Sequence, residues 1–173
     1  STGYVTGATT DELHNPFIHL YEKYTLPSLP AEQMDLVGIS ISYEEQLVPG
    51  LTLARMIKEK HPGAHIVIGG NILTRHRQAL IGNERLSRYF DSVIVYEGET
   101  ALLELVKRLE NGLDLEGTPN LYHRSGGRMQ AASNLHVEDV KTLPTPDFSG
   151  LPMGRYFSPF PVLPAYLSRG CYW

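Results

Sequence analysis

Three short apolar runs limit what this chain can fold into. They are Asp35–Ser42 (DLVGISIS), His65–Gly70 (HIVIGG) and Ser92–Tyr96 (SVIVY). Each is rich in β-branched residues and closed by glycine or polar side chains. A strand with water on one face alternates apolar with polar residues, so near-continuous apolar runs belong to parallel strands covered on both faces. The intervening segments supply the covers. Over Gln46–Lys60, Leu47, Leu51, Ala54 and Ile57 recur at three- and four-residue spacing, and His61-Pro62-Gly63 ends the pattern. Over Thr100–Leu109, Leu102, Leu105, Val106 and Leu109 share one face, with Gly112 placed to stop the helix. Leu73–Phe90 is less regular and reads as two helical pieces broken near Gly82-Asn83. Strand and helix alternating three times predict a doubly wound, Rossmann-like α/β layer with a parallel sheet. Its strands are expected at 36–42, 65–69 and 92–96, and its main helices at 46–60 and 99–111.

The predicted organisation has four parts. Residues 1–34 form an N-terminal extension, in which 14–24 (HNPFIHLYEKY) reads as a short amphipathic helix with Pro16 early in it. Residues 35–116 are the α/β core. In 117–142, the segments Thr118–Arg124 and Arg128–Gln130 flank Ser125-Gly126-Gly127 as a β-hairpin lying outside the layer. Over 143–173, Pro144, Pro146, Pro152, Pro159, Pro161 and Pro164 forbid helix and predict an extended tail. A three-strand layer is small for this fold class. Either Ser1–Thr10 adds a strand or the first strands are missing, and the low apolar content of Ser1–Thr10 favours the second.

Composition narrows the function. Apolar residues make up 42% and charged residues 20%, as in a globular protein. A net charge of −4 with no basic face gives nucleic acid no foothold. No apolar run approaches the ~18 residues that span a bilayer, and no basic-then-apolar start suggests export. A single cysteine makes no internal disulfide, and a cytoplasmic location is the expectation.

Ligands of open α/β sheets bind beyond the carboxyl ends of the strands. The first run ends in Ser40, Ser42 and Tyr43, which offer hydroxyls. The second ends Gly69-Gly70-Asn71, where missing side chains allow a bulky ligand close to the backbone. The third ends Glu97-Gly98-Glu99-Thr100 and opens a helix, leaving backbone N–H groups free. These ten positions describe a wide trough, although each glycine also reads as an ordinary turn residue. The dinucleotide spacing G-x-G-x-x-G is absent, as are a P-loop, a nucleophile elbow and a His-Glu-x-x-His pattern. No Asp ends a strand, which sets aside a phosphorylated receiver domain. Glu44 and Glu45 are adjacent on a helix start and do not face one another as an acid–base pair.

The ordered string Asp35–Ser40, Val67–Gly70, Asp91–Glu99, Leu102–Leu105, Gly117–Leu121, Leu143–Phe148 and Leu167–Cys171 resembles the N-terminal half of the cobalamin-binding radical S-adenosylmethionine (SAM) proteins. The resemblance covers roughly residues 35–173. In that family the ending Ser168-Arg169-Gly170-Cys171 opens a Cys-x3-Cys-x2-Cys motif whose thiolates hold a 4Fe–4S cluster that binds SAM. The resemblance therefore implies cobalamin on the α/β core and Cys171 as a metal ligand. It makes 143–173 the linker and first strand of a radical SAM barrel, the partner domain in the parent chain. It also implies a small-molecule or peptide substrate, with methyl transfer the commoner outcome and ring contraction or cyclisation the others. One departure matters. Some cobalamin domains place a cobalt-ligating His in Asp-x-His-x-x-Gly, whereas Asp11-Glu12-Leu13-His14 has the wrong spacing. On this resemblance no His of these residues meets cobalt, and the nucleotide tail lies against Ser40, Ser42, Gly69, Gly70 and Glu97–Glu99. A bulky residue at Gly70 should then block the ligand and spare the fold. Cys171 taken alone is also readable as a thiol without a role, since one thiolate retains no cluster. The competing reading is a docking or substrate-recognition domain without cobalamin.

Overall fold

The structure, a computed structural model, describes residues 2–32, 34–82, 84–156, 159–160 and 162–163. The chain divides into two compact units, Ser1–Val137 and Glu138–Trp173. The first holds a five-stranded sheet in the order β1-β2-β3-β4-β5. Leu36–Ser40 (β1), His65–Gly69 (β2) and Ser92–Ile94 (β3) run parallel, with Leu36 opposite His65 and Val67 opposite Ser92. Leu121–Ser125 (β4) pairs antiparallel with β3, and Arg128–Gln130 (β5) pairs antiparallel with β4. The hairpin expected outside the layer therefore extends it. It covers the edge of β3 that would otherwise present unpaired backbone groups.

Helices lie on both faces. Leu47–Lys60 (α4) follows a 3-10 turn at Glu44–Gln46, and Pro49 sits in its first turn, where a missing N–H costs no helical bond. Asn71–Arg75 (α5), Arg77–Ile81 (α6) and Glu84–Ser87 (α7) replace the two expected helical pieces between β2 and β3. Glu99–Glu110 (α8) follows β3. Side-chain alternation along the strands sorts the core. Ile66, Ile68, Val93 and Val95 pack with Leu51, Ala54, Ile57, Ile72 and Leu73 on one face. Val67, Ile94 and Leu121 pack with Ala101 and Leu105 of α8 on the other. Complete burial of Leu51 or Leu105 contributes about 1.5–3 kcal/mol each.

The N-terminal residues add helix rather than a strand. Thr2–Ala8 (α1) is helical, and Val5 packs against the α4-side core. Pro16–Leu20 (α2) begins at Asn15, whose side-chain oxygen accepts from Phe17 N–H, and it continues through a π-helical stretch at Tyr21–Thr25 into a last turn at Leu26–Ser28 (α3). Asn15 also donates to Ala8 C=O at 2.8 Å and to the Thr52 hydroxyl at 2.9 Å, which ties this region to α4. No helix among the described residues is long and apolar enough to cross a membrane.

In the second unit the described residues form turns and extended chain. Asp139 accepts from Lys141 N–H, Asp147 accepts from Ser149 N–H, and the one helical turn is a 3-10 turn at Met153–Arg155.

Candidate functional site

A trough of about 510 Å³ opens where the parallel strands end. It lies on the α8 face of the sheet. Gly38, Ser40, Val67, Gly69 and Ile94 come from the strands, and Tyr96, Gly98, Glu99 and Leu102 from the β3–α8 connection and the start of α8. The reason is visible in β1: on this face it presents Leu36, Gly38 and Ser40, and Gly38 and Ser40 are both exposed. α8 covers β2, β3 and β4 and leaves the carboxyl half of β1 bare. The volume falls within the range of small-molecule sites.

The glycines divide by what a side chain would meet. A Cβ on Gly38 would find only Val67 Cγ1 at 3.9 Å, and one on Gly69 would find Ile94 O at 3.6 Å. Both are ordinary contacts, so these two positions leave space that the fold does not need. Gly70 is different. Its φ is +119°, and a Cβ there would stand 2.6 Å from the Ile41 carbonyl carbon. That backbone region is open essentially to glycine alone. The expectation that Gly70 can be enlarged without harm to the fold is therefore overturned: Gly70 lines the trough, but its missing side chain lets the chain leaving β2 pass close to the Ile41 backbone.

Each rim is held by a named group. β1 stops at Ser40, because Ile41 N–H still bonds Gly69 C=O at 2.7 Å while Ser42 and Tyr43 N–H turn to the Gln46 side-chain oxygen at 2.8 and 3.2 Å. β3 stops at Ile94 rather than at Tyr96, because Tyr96 adopts φ +61°. For a bulky residue this left-handed conformation costs about 1–2 kcal/mol. The Thr74 hydroxyl accepts from Tyr96 N–H at 2.7 Å, and the Arg77 guanidinium lies 5.4 Å from the ring centre. Asn120, 1% exposed and also left-handed at φ +56°, donates to the carbonyls of Glu97 and His136, both at 2.8 Å. Its side-chain oxygen accepts from His136 N–H, also at 2.8 Å.

Of the residues expected to bind, Ser40, Gly69, Gly70, Gly98 and Glu99 line the trough. Ser42 and Tyr43 stand on the β1–α4 loop, Asn71 opens α5, Glu97 contributes the carbonyl held by Asn120, and Thr100 is the second residue of α8. Cys171 lies outside the described residues. The sequence reading missed Gly38, Tyr96, Leu102 and Asn120. Gly38 carried a usable signal, since an isolated glycine inside a strand marks close approach of another group. Tyr96 carried none, because nothing local predicts a tyrosine at positive φ.

The amino ends of the strands hold a larger hollow, about 720 Å³, bordered by Asp35, Lys58, His65, Asp91 and Glu110. One oxygen of Asp91 accepts from Lys58 Nζ and from Ile66 N–H, both at 2.8 Å, and Lys58 also bonds Ala64 C=O. His65 Nε2 lies 2.8 Å from the buried Ser92 hydroxyl. Burial depresses the His65 pKa below its ordinary value; Asp91 opposes this, and Lys58 and His123 add to it. Among the described residues, no three His, Cys, Asp or Glu side chains gather as metal ligands.

An open α/β sheet with a trough at its carboxyl edge places the chain in the doubly wound class, whose ligands bind at that edge. The B12 binding domain family model matches residues 10–106, more than half of the sequence, and the chain belongs to that family. No curated protein matches. Among solved structures it is similar to TsrM from Kitasatospora setae, a radical S-adenosylmethionine methyltransferase solved with tryptophan substrate and the SAM analogue aza-SAM bound. Identity is 21% and the TM-score 0.44. The match covers 67% of this chain and 21% of TsrM, so the chain spans about a fifth of that enzyme's length.

Proposed function

We propose that the chain is the cobalamin-binding part of a radical SAM enzyme and holds the tail of the corrinoid in the carboxyl-edge trough. The observation that carries this reading is that Gly38 and Gly69, on neighbouring strands, lie on one bare sheet face in a member of the B12 binding family. A Cβ at either position would meet only ordinary contacts, so a flat group can lie against the backbone of β1 and β2. Ser40 offers a hydroxyl at one end, and Leu102 and Ile94 offer an apolar wall. When bound, the corrinoid supplies methyl-carrying chemistry, and the work of this chain is to bind and orient it. The loop before α4, fixed by Gln46, and the loop before α8, fixed by Asn120, keep the mouth of the trough in shape.

The terminal Ser168-Arg169-Gly170-Cys171 supports the rest of the reading. In the parent enzyme Cys171 is a cluster ligand, the barrel that follows holds SAM, and a methyl group passes to a small-molecule or peptide substrate. The division is proposed as an extension at 1–34, the cobalamin-binding layer at 35–116 completed by the hairpin within 117–142, and a linker to the barrel at 143–173. Equilibration of the protein with hydroxocobalamin, removal of free ligand and measurement of corrinoid absorbance tests the binding step. Retention near one equivalent is expected. An absence of retained corrinoid sinks the proposal and leaves the docking reading.

A further inference from the structure

Tyr96 occupies a position that favours glycine. Its φ of +61° suits a residue without a Cβ, and its backbone N–H is already satisfied by the Thr74 hydroxyl. The ring does not compensate by packing into the core, since 48% of the residue is exposed. It stands at the trough, among Ile94, Gly98 and Leu102, with Arg77 beside it at 5.4 Å. Backbone strain of this kind clusters at ligand clamps and active sites, and here it sits on a half-exposed aromatic residue at a ligand-sized opening. The floor includes Gly38 and Gly69, which have no side chains of their own and where an added Cβ would meet nothing closer than 3.6 Å. A bare floor beside an aromatic wall fits a flat aromatic group, because stacked rings combine apolar burial with favourable ring geometry.

We propose that Tyr96 is the specificity-determining residue of the trough, and that its ring grips the flat nucleotide base at the end of the corrinoid tail. This rests on the cobalamin reading above. Tyr96 thereby selects corrinoids that carry an aromatic base over those that lack one. The Arg77 guanidinium, seated by its bond to the Thr74 carbonyl at 2.9 Å, limits the movement of the ring.

The test uses Tyr96→Gly and Tyr96→Phe, titrated with cobalamin and with cobinamide, which has the corrin ring but no nucleotide base. Glycine accepts the backbone conformation without strain, so the unfolding midpoint should hold or rise. Cobalamin binding by Tyr96→Gly should weaken about tenfold or more, the order of one lost base–aromatic stack, while cobinamide binding stays within about twofold. Tyr96→Phe should restore cobalamin binding to within about threefold of wild type. Unchanged cobalamin affinity in Tyr96→Gly overturns the inference. Equal weakening of both ligands overturns it too, since the ring then meets the macrocycle rather than the base. A lowered midpoint in Tyr96→Gly assigns the ring to the fold and also overturns it. Wild type that binds no cobalamin is a separate failure, that of the cobalamin reading itself.

Discussion

The two edges of the parallel sheet are built on opposite principles. At the amino edge the hollow is larger, about 720 Å³ against 510 Å³, and Lys58, His65 and Asp91 on its border are held in hydrogen bonds. Asp91 closes on Lys58 and on the start of β2, and His65 reaches Ser92. At the carboxyl edge the polar bonds lie behind the surface, in the loops, and the trough presents glycine floor and apolar wall. The edges differ in how far the fold uses their linings: Gly38 and Gly69 leave the floor of the carboxyl-edge trough bare, whereas Lys58, His65 and Asp91 of the amino edge are bonded.

The largest effect should come from Gly70→Ala, because it joins a forbidden φ to a collision with Ile41. A loss of about 3 kcal/mol or more in denaturant unfolding is expected. A loss below about 1 kcal/mol would return Gly70 to the ligand side of the comparison. Next is Asp91→Ala, which leaves Lys58 and Ile66 N–H without their shared acceptor. Both charged side chains are about a quarter exposed, so a cost of about 1–3 kcal/mol is expected rather than the full penalty of a buried pair. Corrinoid retained per folded molecule should not change; a loss would tie the amino edge to binding.

Gly38→Leu reverses the pattern. Its Cβ meets only an ordinary contact with Val67 at 3.9 Å, so stability should hold or rise by about 0.5 kcal/mol, while cobalamin binding falls about tenfold or more as the trough fills. Equilibrium titration beside an unfolding curve reads both quantities. The smallest effect concerns pH. The folded His65 pKa lies below the unfolded value, so the folded state binds fewer protons. Its contribution is intact above the unfolded pKa of about 6.5 and is lost as pH falls below it, because protonation then favours the unfolded chain. Unfolding midpoints between about pH 7.5 and 5 should decline less steeply for His65→Gln than for wild type; parallel curves would remove His65 from the account.

The layered core was legible because periodicity is a property of the local chain. Apolar runs at Leu36, His65 and Ser92 and the helical spacing through Leu51, Ala54 and Ile57 needed no knowledge of neighbours. The place of the hairpin was not legible, since nothing in Leu121–Gln130 says that its partner is β3. Nor was α1: Gly and Thr in its sequence argue against helix, and the packing of Val5 on the core outweighs that weak preference. At the site, residue type was legible and role was not. Gly38, Gly69 and Gly70 are the same letter, yet a Cβ would meet only ordinary contacts at the first two and the Ile41 backbone at the third. That distinction depends on φ and on the direction of an absent Cβ, which the sequence does not encode locally.

Asn120 has a consequence for how this region opens in time. One side chain holds Glu97 C=O, His136 C=O and His136 N–H, while its own backbone bonds Val95 N–H and Asn134 C=O. Segments distant in sequence thus share a single latch. The amide hydrogens of Val95, Asn120 and His136 should exchange with solvent deuterium together, as one correlated event, rather than fray independently from three surface loops.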